Sequence, residues 1–154
     1  MFLVFSFFVA PVIDRRYLAR FESLRGKLTG HWIFDGEFDF EAHGFVYPIT
    51  SIASGRRYIG RKTLTYNVKL KPLKGRVNKR HRTVESDWRK YEGSSKSLAV
   101  DILAEGKEQF SFEVLSFHES KSMLAYYEAK EIIDRNALFD DAFYNIGLKI
   151  RFRC

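Results

Sequence analysis

Tyr47 and Tyr58 stand eleven positions apart on two short apolar segments, Gly44-Phe45-Val46-Tyr47-Pro48-Ile49 and Arg57-Tyr58-Ile59-Gly60, and Arg61-Lys62 follows the second at once. The Ser-Ile-Ala-Ser-Gly run between them predicts a β-hairpin with two phenols and a cationic tail at its rim. Such a group suits proton handling beside a phosphate. Hydroxyls can hold or pass a proton, and cations neutralise developing negative charge. Farther on, Glu128 interrupts the aromatic and apolar positions of Tyr126-Tyr127-Glu128-Ala129-Lys130-Glu131-Ile132-Ile133, with Glu131 close to the same helical face. A carboxylate there could hold Mg²⁺, a hard cation that takes oxygen ligands and keeps several waters. The competing readings are packed strand aromatics for the tyrosines and a solvated helix acid for Glu128.

The net charge of +7 is unevenly placed. Between Arg56 and Tyr91, thirteen Lys or Arg residues meet only two acids, Glu85 and Asp87, so the rest of the chain is mildly acidic. One basic tract on an acidic body suits a polyanion: double-stranded DNA first, RNA second. The candidate phosphate contacts are Lys62, Lys69, Lys71, Lys74, Arg76, Lys79, Arg80, Arg82 and Lys90. A solvated basic loop is the plainer alternative.

Other chemistries find little support. Histidines 31, 43, 81 and 118 are scattered, and neither an HExxH nor a GxxxxGK[ST] pattern occurs. The one cysteine, Cys154, has no partner for an intramolecular bridge, which suits a reducing, cytoplasmic setting, the host-cell cytoplasm for a phage-encoded chain. Met1–Ala10 is apolar, yet Pro11 and Asp14-Arg15-Arg16 interrupt it short of a bilayer span and no basic n-region precedes it, so no membrane role is expected.

The elements that must carry these residues read as follows. Residues 14–27 have helical spacing, and 31–43 reads as extended. Pro48 places the first hairpin strand at a sheet edge or ends its ladder there. Lys69 to Arg76 reads as a flexible basic loop, and Arg80 to Tyr91 as a short helical or turn segment. Ser94 or Ser95 caps a helix with Leu98, Val100, Ile102 and Leu103 on its apolar face, ended by Gly106. A strand over 110–117 follows, then a helix opened by Ser120 or Ser122, packing through Leu124, Tyr127, Ile132 and Ile133, and an extended or turn segment at Phe143–Ile146. The sum is an α+β fold, a small central antiparallel β-sheet of about three strands packed with helices.

In this order the motifs resemble the GIY-YIG nuclease domain, and within it the phage-type SegE-like endonucleases. The first half-signature stands as Phe45-Val46-Tyr47, with Phe and Val where the family usually has Gly and Ile; the second is intact as Tyr58-Ile59-Gly60. Tyr91-Glu92-Gly93-Ser94-Ser95, Gly106-Lys107-Glu108-Gln109-Phe110, Glu128 and Tyr144-Asn145 continue the series. The resemblance implies a nuclease domain over 44–147 with a basic insertion at about 62–90, preceded by an extension over 1–43 and followed by a tail over 148–154.

It also implies roles. One of Tyr47 and Tyr58 helps to deprotonate the attacking water, Glu128 binds Mg²⁺ (or Mn²⁺), Asn145 steadies the site, and Gly60 lets the backbone pass close by. An arginine and the metal stabilise the scissile phosphate. The family carries that arginine on a helix soon after the second tyrosine, where this chain has its insertion; Arg61 is the first choice, with Arg76, Arg80 and Arg82 open. The implied activity is metal-dependent hydrolysis of DNA phosphodiesters. A non-catalytic DNA- or RNA-binding protein on the same fold is the alternative.

Overall fold

The structure, a computed structural model, describes residues 29–148. Its chain divides into two units, 1–30 and 31–154, and the strands and helices that carry the candidate residues belong to the second. The helix expected over 14–27 lies outside the described residues.

Strands β1 (Gly44–Ser51) and β2 (Arg57–Thr63) form the expected antiparallel hairpin, in register from Gly44↔Thr63 to Thr50↔Arg57. The turn closes by Ser51 N–H to the Arg56 carbonyl and Gly55 N–H to the Ser51 carbonyl, both 2.9 Å, with Gly55 at φ +70°. β3 (Thr65–Leu70) and β4 (Arg80–Glu85) make a separate two-stranded ribbon, so the loop expected over Lys69–Arg76 is confined to the connection between them and the helical turn expected over Arg80–Tyr91 to its end. Its strands hold Thr, Tyr and Val, which favour extended backbone. After a 3-10 turn at Trp88–Lys90 comes helix α1 (Lys96–Glu105), capped by Ser95 and stopped at Gly106. β5 (Phe110–Phe112), β6 (Ser116–His118) and helix α2 (Lys121–Asp134), capped by Ser120, complete the order. No helix among the described residues is long and apolar enough to cross a membrane.

β1 is the central strand of the main sheet, not its edge: β2 pairs on one side, β5 and β6 on the other. Pro48 is tolerated there because the strand expected over 110–117 is broken opposite it. The register shifts by one residue between Ile49↔Phe112 and Val46↔Ser116, which is a β-bulge at Glu113–Leu115. The Pro48 carbonyl accepts from Glu113 N–H at 3.1 Å, so its ring nitrogen faces the bulge, where no donor is needed.

Two clusters sandwich this sheet. Phe45, Tyr47, Ile49 and Tyr58 face one side with Trp32, Trp88 and Leu98; Val46 and Ile59 face the other with Leu124 and Ile132 of α2. On α1, Leu98 and Ile102 are buried, but Val100 and Leu103 are exposed, contrary to the apolar face read from spacing; Ile133 of α2 is likewise exposed. Residues 31–43 are mostly irregular, with only an Ile33↔Glu113 bridge, yet Trp32, Phe34, Phe38 and Ala42 fill the first cluster. Trp32 anchors it by donating Nε1–H to the Trp88 carbonyl at 2.7 Å.

His31 sits at the border of this cluster, donating Nε2–H to the Tyr91 carbonyl at 3.0 Å with its ring edge-on to Phe112. Burial, then the Lys107 charge, lowers its pKa from 6.5 to about 4. Between those values the unfolded chain binds a proton that the folded chain refuses. Stability is therefore fully present above pH 6.5 and falls as pH drops toward 4. We expect the urea midpoint to fall over this window and His31→Gln, which keeps a donor, to flatten the decline. An unchanged slope in the variant would assign the acid sensitivity to other groups, among them His43 and His118, whose pKa values are also lowered by burial.

Candidate active site

Alternation along β2 divides the candidate residues between two faces. Tyr58, Gly60 and Lys62 point to the aromatic cluster, while Ile59 and Arg61 point to α2. Tyr47 pairs with Gly60 across the hairpin, and its ring lies directly over the glycine. A Cβ built on Gly60 would sit 2.6 Å from the Tyr47 hydroxyl oxygen, 2.8 Å from Tyr47 Cζ and 2.8 Å from Tyr58 Cε1. The glycine of Tyr58-Ile59-Gly60 is thus the floor on which the Tyr47 phenol rests.

The Tyr47 ring is held by aromatics on several sides. Its centroid is 4.9 Å from Trp32, 6.0 Å from Phe45, and 6.2 Å from both Tyr58 and Tyr91. It is fully buried, and its hydroxyl makes no hydrogen bond of good geometry among the described residues, the Tyr91 side chain being the polar group that interacts with it. Burial, then the neighbouring Tyr58 and Tyr91, pushes its pKa well up. The Tyr58 hydroxyl instead shares a 2.7 Å hydrogen bond with Ser94 Oγ, and burial raises its pKa too, with Ser94 opposing. Both phenols are neutral at physiological pH.

Gly60→Ala therefore overpacks a site that has no slack. We expect a loss of about 1–3 kcal/mol in stability. In a double-mutant cycle, Tyr47→Phe should recover part of that stability, because it removes the nearest clashing atom. Strict additivity of the two substitutions would count against this packing.

On the opposite face, Arg61 Nη1 lies 3.3 Å from Glu128 Oε2. Glu128 is one turn from both Leu124 and Ile132, the residues that seat α2 on the sheet, so it stands at the rim of a buried face rather than in open solvent. Its side chain is 17% exposed. Burial pushes its carboxyl pKa up, and the Arg61 charge opposes the shift. The Glu128 charge also raises both phenols, which links the two faces electrostatically. Glu131 pairs with Arg135 at 2.9 Å and is separate from this group.

Asn145 closes the free edge of β2. Its Oδ1 accepts from Ile59 N–H at 2.9 Å and its Nδ2 donates to the Ile59 carbonyl at 2.8 Å, so one side-chain amide stands in for a neighbouring strand. Beside it, Tyr144 N–H donates to the Arg57 carbonyl at 2.7 Å and Phe143 forms a bridge with Arg57, which makes the expected extended segment a strap along β2.

The basic candidates separate as well. Lys62 is 14% exposed, with Nζ 2.6 Å from Asp87 Oδ1 and 3.7 Å from the centroid of Tyr91, so it belongs to the phenol cluster. Lys69, Arg80 and Arg82 lie on the ribbon, Lys71, Lys74, Arg76 and Lys79 in its connecting loop, and Lys90 beyond it; all are exposed. Arg76, Arg80 and Arg82 are therefore placed apart from the phenols along the chain's second sheet. Spacing alone gave no sign of Tyr91, Lys62 and Trp32 as neighbours of Tyr47; alternation along Tyr58-Ile59-Gly60-Arg61-Lys62 does contain the signal for Lys62.

Among the described residues no group of three or more His, Cys, Asp or Glu side chains is placed to share a metal. The donor at hand is the Glu128 carboxylate. A single oxygen donor fits Mg²⁺, which is commonly held by one or two carboxylates together with substrate phosphate and water.

A family model described as "Putative endonuclease segE, GIY-YIG domain" matches residues 32–148. Comparison with the curated proteins finds no match. Comparison with the solved structures finds none either.

Proposed function

The chain belongs to the GIY-YIG nuclease family, and from that premise we propose that it is a metal-dependent endonuclease hydrolysing DNA phosphodiesters. The observation that carries the reading is the Tyr47 phenol, buried over Gly60 without a hydrogen bond of good geometry among the described residues, beside Tyr58, Tyr91 and Lys62. A buried hydroxyl so placed costs stability, so its retention points to a partner that arrives with the substrate.

In the proposed reaction a water oxygen attacks phosphorus and the bond to one ester oxygen breaks; a deprotonated phenol of the cluster takes the water's proton, and the departing oxygen takes a proton from solvent. A phenol with raised pKa is a poor base alone. A cation must lower it, and Lys62, seated over the Tyr91 ring at 3.7 Å, is the candidate on that face. Arg61 is the first choice to neutralise charge on the phosphate, and it also holds Glu128 in place. Asn145 fixes the β2 edge that carries Tyr58, Gly60 and Arg61. Glu128 is the residue to hold Mg²⁺ or Mn²⁺; when bound, such an ion stabilises negative charge on phosphate and leaving oxygens. The nuclease domain proposed over 44–147 draws on the residues just before it, since Trp32, Phe34, Phe38 and Ala42 share the cluster beneath the hairpin.

The exposed ribbon cations are assigned to DNA phosphates. Neutralising Lys69, Lys71 and Lys74 together should weaken duplex binding on all sequences and reduce the slope of log K against log salt by about one unit for each phosphate no longer neutralised. An unchanged slope would remove the ribbon from the interface. The reading as a whole is tested by nicking of supercoiled plasmid with and without Mg²⁺. Retained duplex binding with no nicking at any metal concentration would favour a non-catalytic binding protein.

A further inference from the structure

The β3–β4 ribbon offers more than charge. Its register places Thr65↔Glu85, Asn67↔Thr83 and Lys69↔His81 on one face, the Glu85 carboxylate taken up by Trp88 Nε1–H and Arg89, and Tyr66↔Val84, Val68↔Arg82 and Leu70↔Arg80 on the other. Uncharged hydrogen-bonding groups in the middle of a basic tract are not needed to neutralise phosphates. They are the side-chain types that read base edges. Thr83 Oγ1 donates to Asn67 Oδ1 at 2.9 Å, which fixes the amide and leaves its NH₂ and a second lone pair to face outward.

We propose that this polar face reads base edges in the major groove of the duplex whose backbone the active site cuts; the inference rests on the nuclease reading for that second half. Among the described residues the ribbon pairs with no other strand, and its polar-face side chains beyond Thr65 are exposed. Two-stranded ribbons are narrow enough for the major groove of B-form DNA, about 12 Å wide. Six paired residues extend for about 20 Å, long enough to follow several base pairs. Lys71, Lys74, Arg76 and Lys79 in the connecting loop are then free to meet the flanking phosphates.

Two further features tie the ribbon to the site. β3 begins two residues after β2 ends, so a duplex held on it lies along the strand that carries Gly60 and Arg61. At the ribbon's base a cleft of about 440 Å³ is lined by Thr65, Asn67 and Thr83 together with His43 and Lys121, which adds a cation beside the polar face. An RNA duplex is disfavoured as occupant, because the deep, narrow major groove of the A-form excludes side chains.

The test is selection of preferred sequences from a randomised duplex pool by the full chain in EDTA, followed by Kd measurements on the selected and a scrambled duplex. We expect a preference of about tenfold or more. Asn67→Ala should reduce that preference by about tenfold while leaving scrambled-duplex affinity unchanged, and Arg76→Ala should weaken both duplexes equally. Thr83→Val keeps the β-branched shape and removes only the hydroxyl, so it guards against a ribbon that simply unfolds; it must shift the preference in the same direction. The proposal is overturned by a selected pool indistinguishable from the starting one, by a preference that both variants leave intact, or by equal competition from an RNA duplex of the selected sequence. Nicking in Mg²⁺, measured alongside, separates the two readings. Preference without nicking upholds the ribbon against the nuclease, and nicking without preference upholds the nuclease against the ribbon.

Discussion

Glu128→Gln should abolish plasmid nicking, by at least about a hundredfold in single-turnover rate, while leaving the fold and most duplex affinity in place. The amide fills the same volume on α2 between Leu124 and Ile132 but offers no anionic oxygen to a divalent cation. Little stability should be lost. Arg61 is 32% exposed and stays solvated, and the glutamine carbonyl can still accept from it, so the half-buried pair with Glu128, itself 17% exposed, should cost at most about 1 kcal/mol to change. Burial already disfavours the Glu128 anion, so replacing it by a neutral amide also relieves a desolvation cost. Helical circular dichroism and Kd measured in EDTA should match wild type, and rising Mg²⁺ or Mn²⁺ should not restore cleavage. Comparable cleavage by the variant across the titration would reject Glu128 as a metal-holding residue and return it to the role of a structural partner for Arg61.

The hairpin that carries the phenols was legible because its cues are local: aromatic and β-branched runs, a Ser-rich turn and the Gly55 punctuation. Each helix cap was narrowed to two serines for the same reason, and Ser95 and Ser120 are the ones that accept from backbone N–H groups three residues on. Of the two readings Pro48 offered, the sheet edge fails and the ended ladder holds: pairing with β5 stops at Ile49, and the bulge at Glu113–Leu115, sixty-five residues away, faces the proline. The ribbon was hidden by composition. Tyr66, Val68 and Leu70 do alternate with Thr65, Asn67 and Lys69, but Pro72, Gly75 and the run of cations read more loudly as a loop. Val100 and Leu103 show the converse failure, since helical spacing supplied a face that the fold does not cover. At the candidate site, chain order and the family resemblance proposed Tyr47, Tyr58, Gly60, Glu128 and Asn145. It could not show that one amide would satisfy both polar groups of Ile59, or that Lys62 and Arg61, adjacent in sequence, would serve opposite faces of one strand.

That division of the cations gives the tyrosine variants their expected pattern. Tyr47→Phe removes a wholly buried hydroxyl that makes no hydrogen bond of good geometry among the described residues, so stability should hold or rise by up to about 1 kcal/mol. Cleavage should nevertheless fall by about 10²–10⁴, because this is the phenol with free lone pairs to meet the attacking water. Tyr58→Phe breaks the 2.7 Å bond to Ser94 and should cost less in rate, about tenfold, since that hydroxyl orders the site rather than receiving the proton. Duplex affinity should be unchanged in both. Lys62→Ala and Arg61→Ala then divide the remaining work. Loss of the first removes the cation over Tyr91, and since only a deprotonated phenol serves as base, the rising limb of the pH–rate profile should move to higher pH. Loss of the second frees Glu128 and should lower the rate without moving that limb. Single-turnover profiles of the four variants decide the matter. Full activity in both tyrosine variants would defeat phenol-assisted attack, and full activity in Arg61→Ala with loss in Lys62→Ala would move the phosphate-neutralising role to the phenol face of β2.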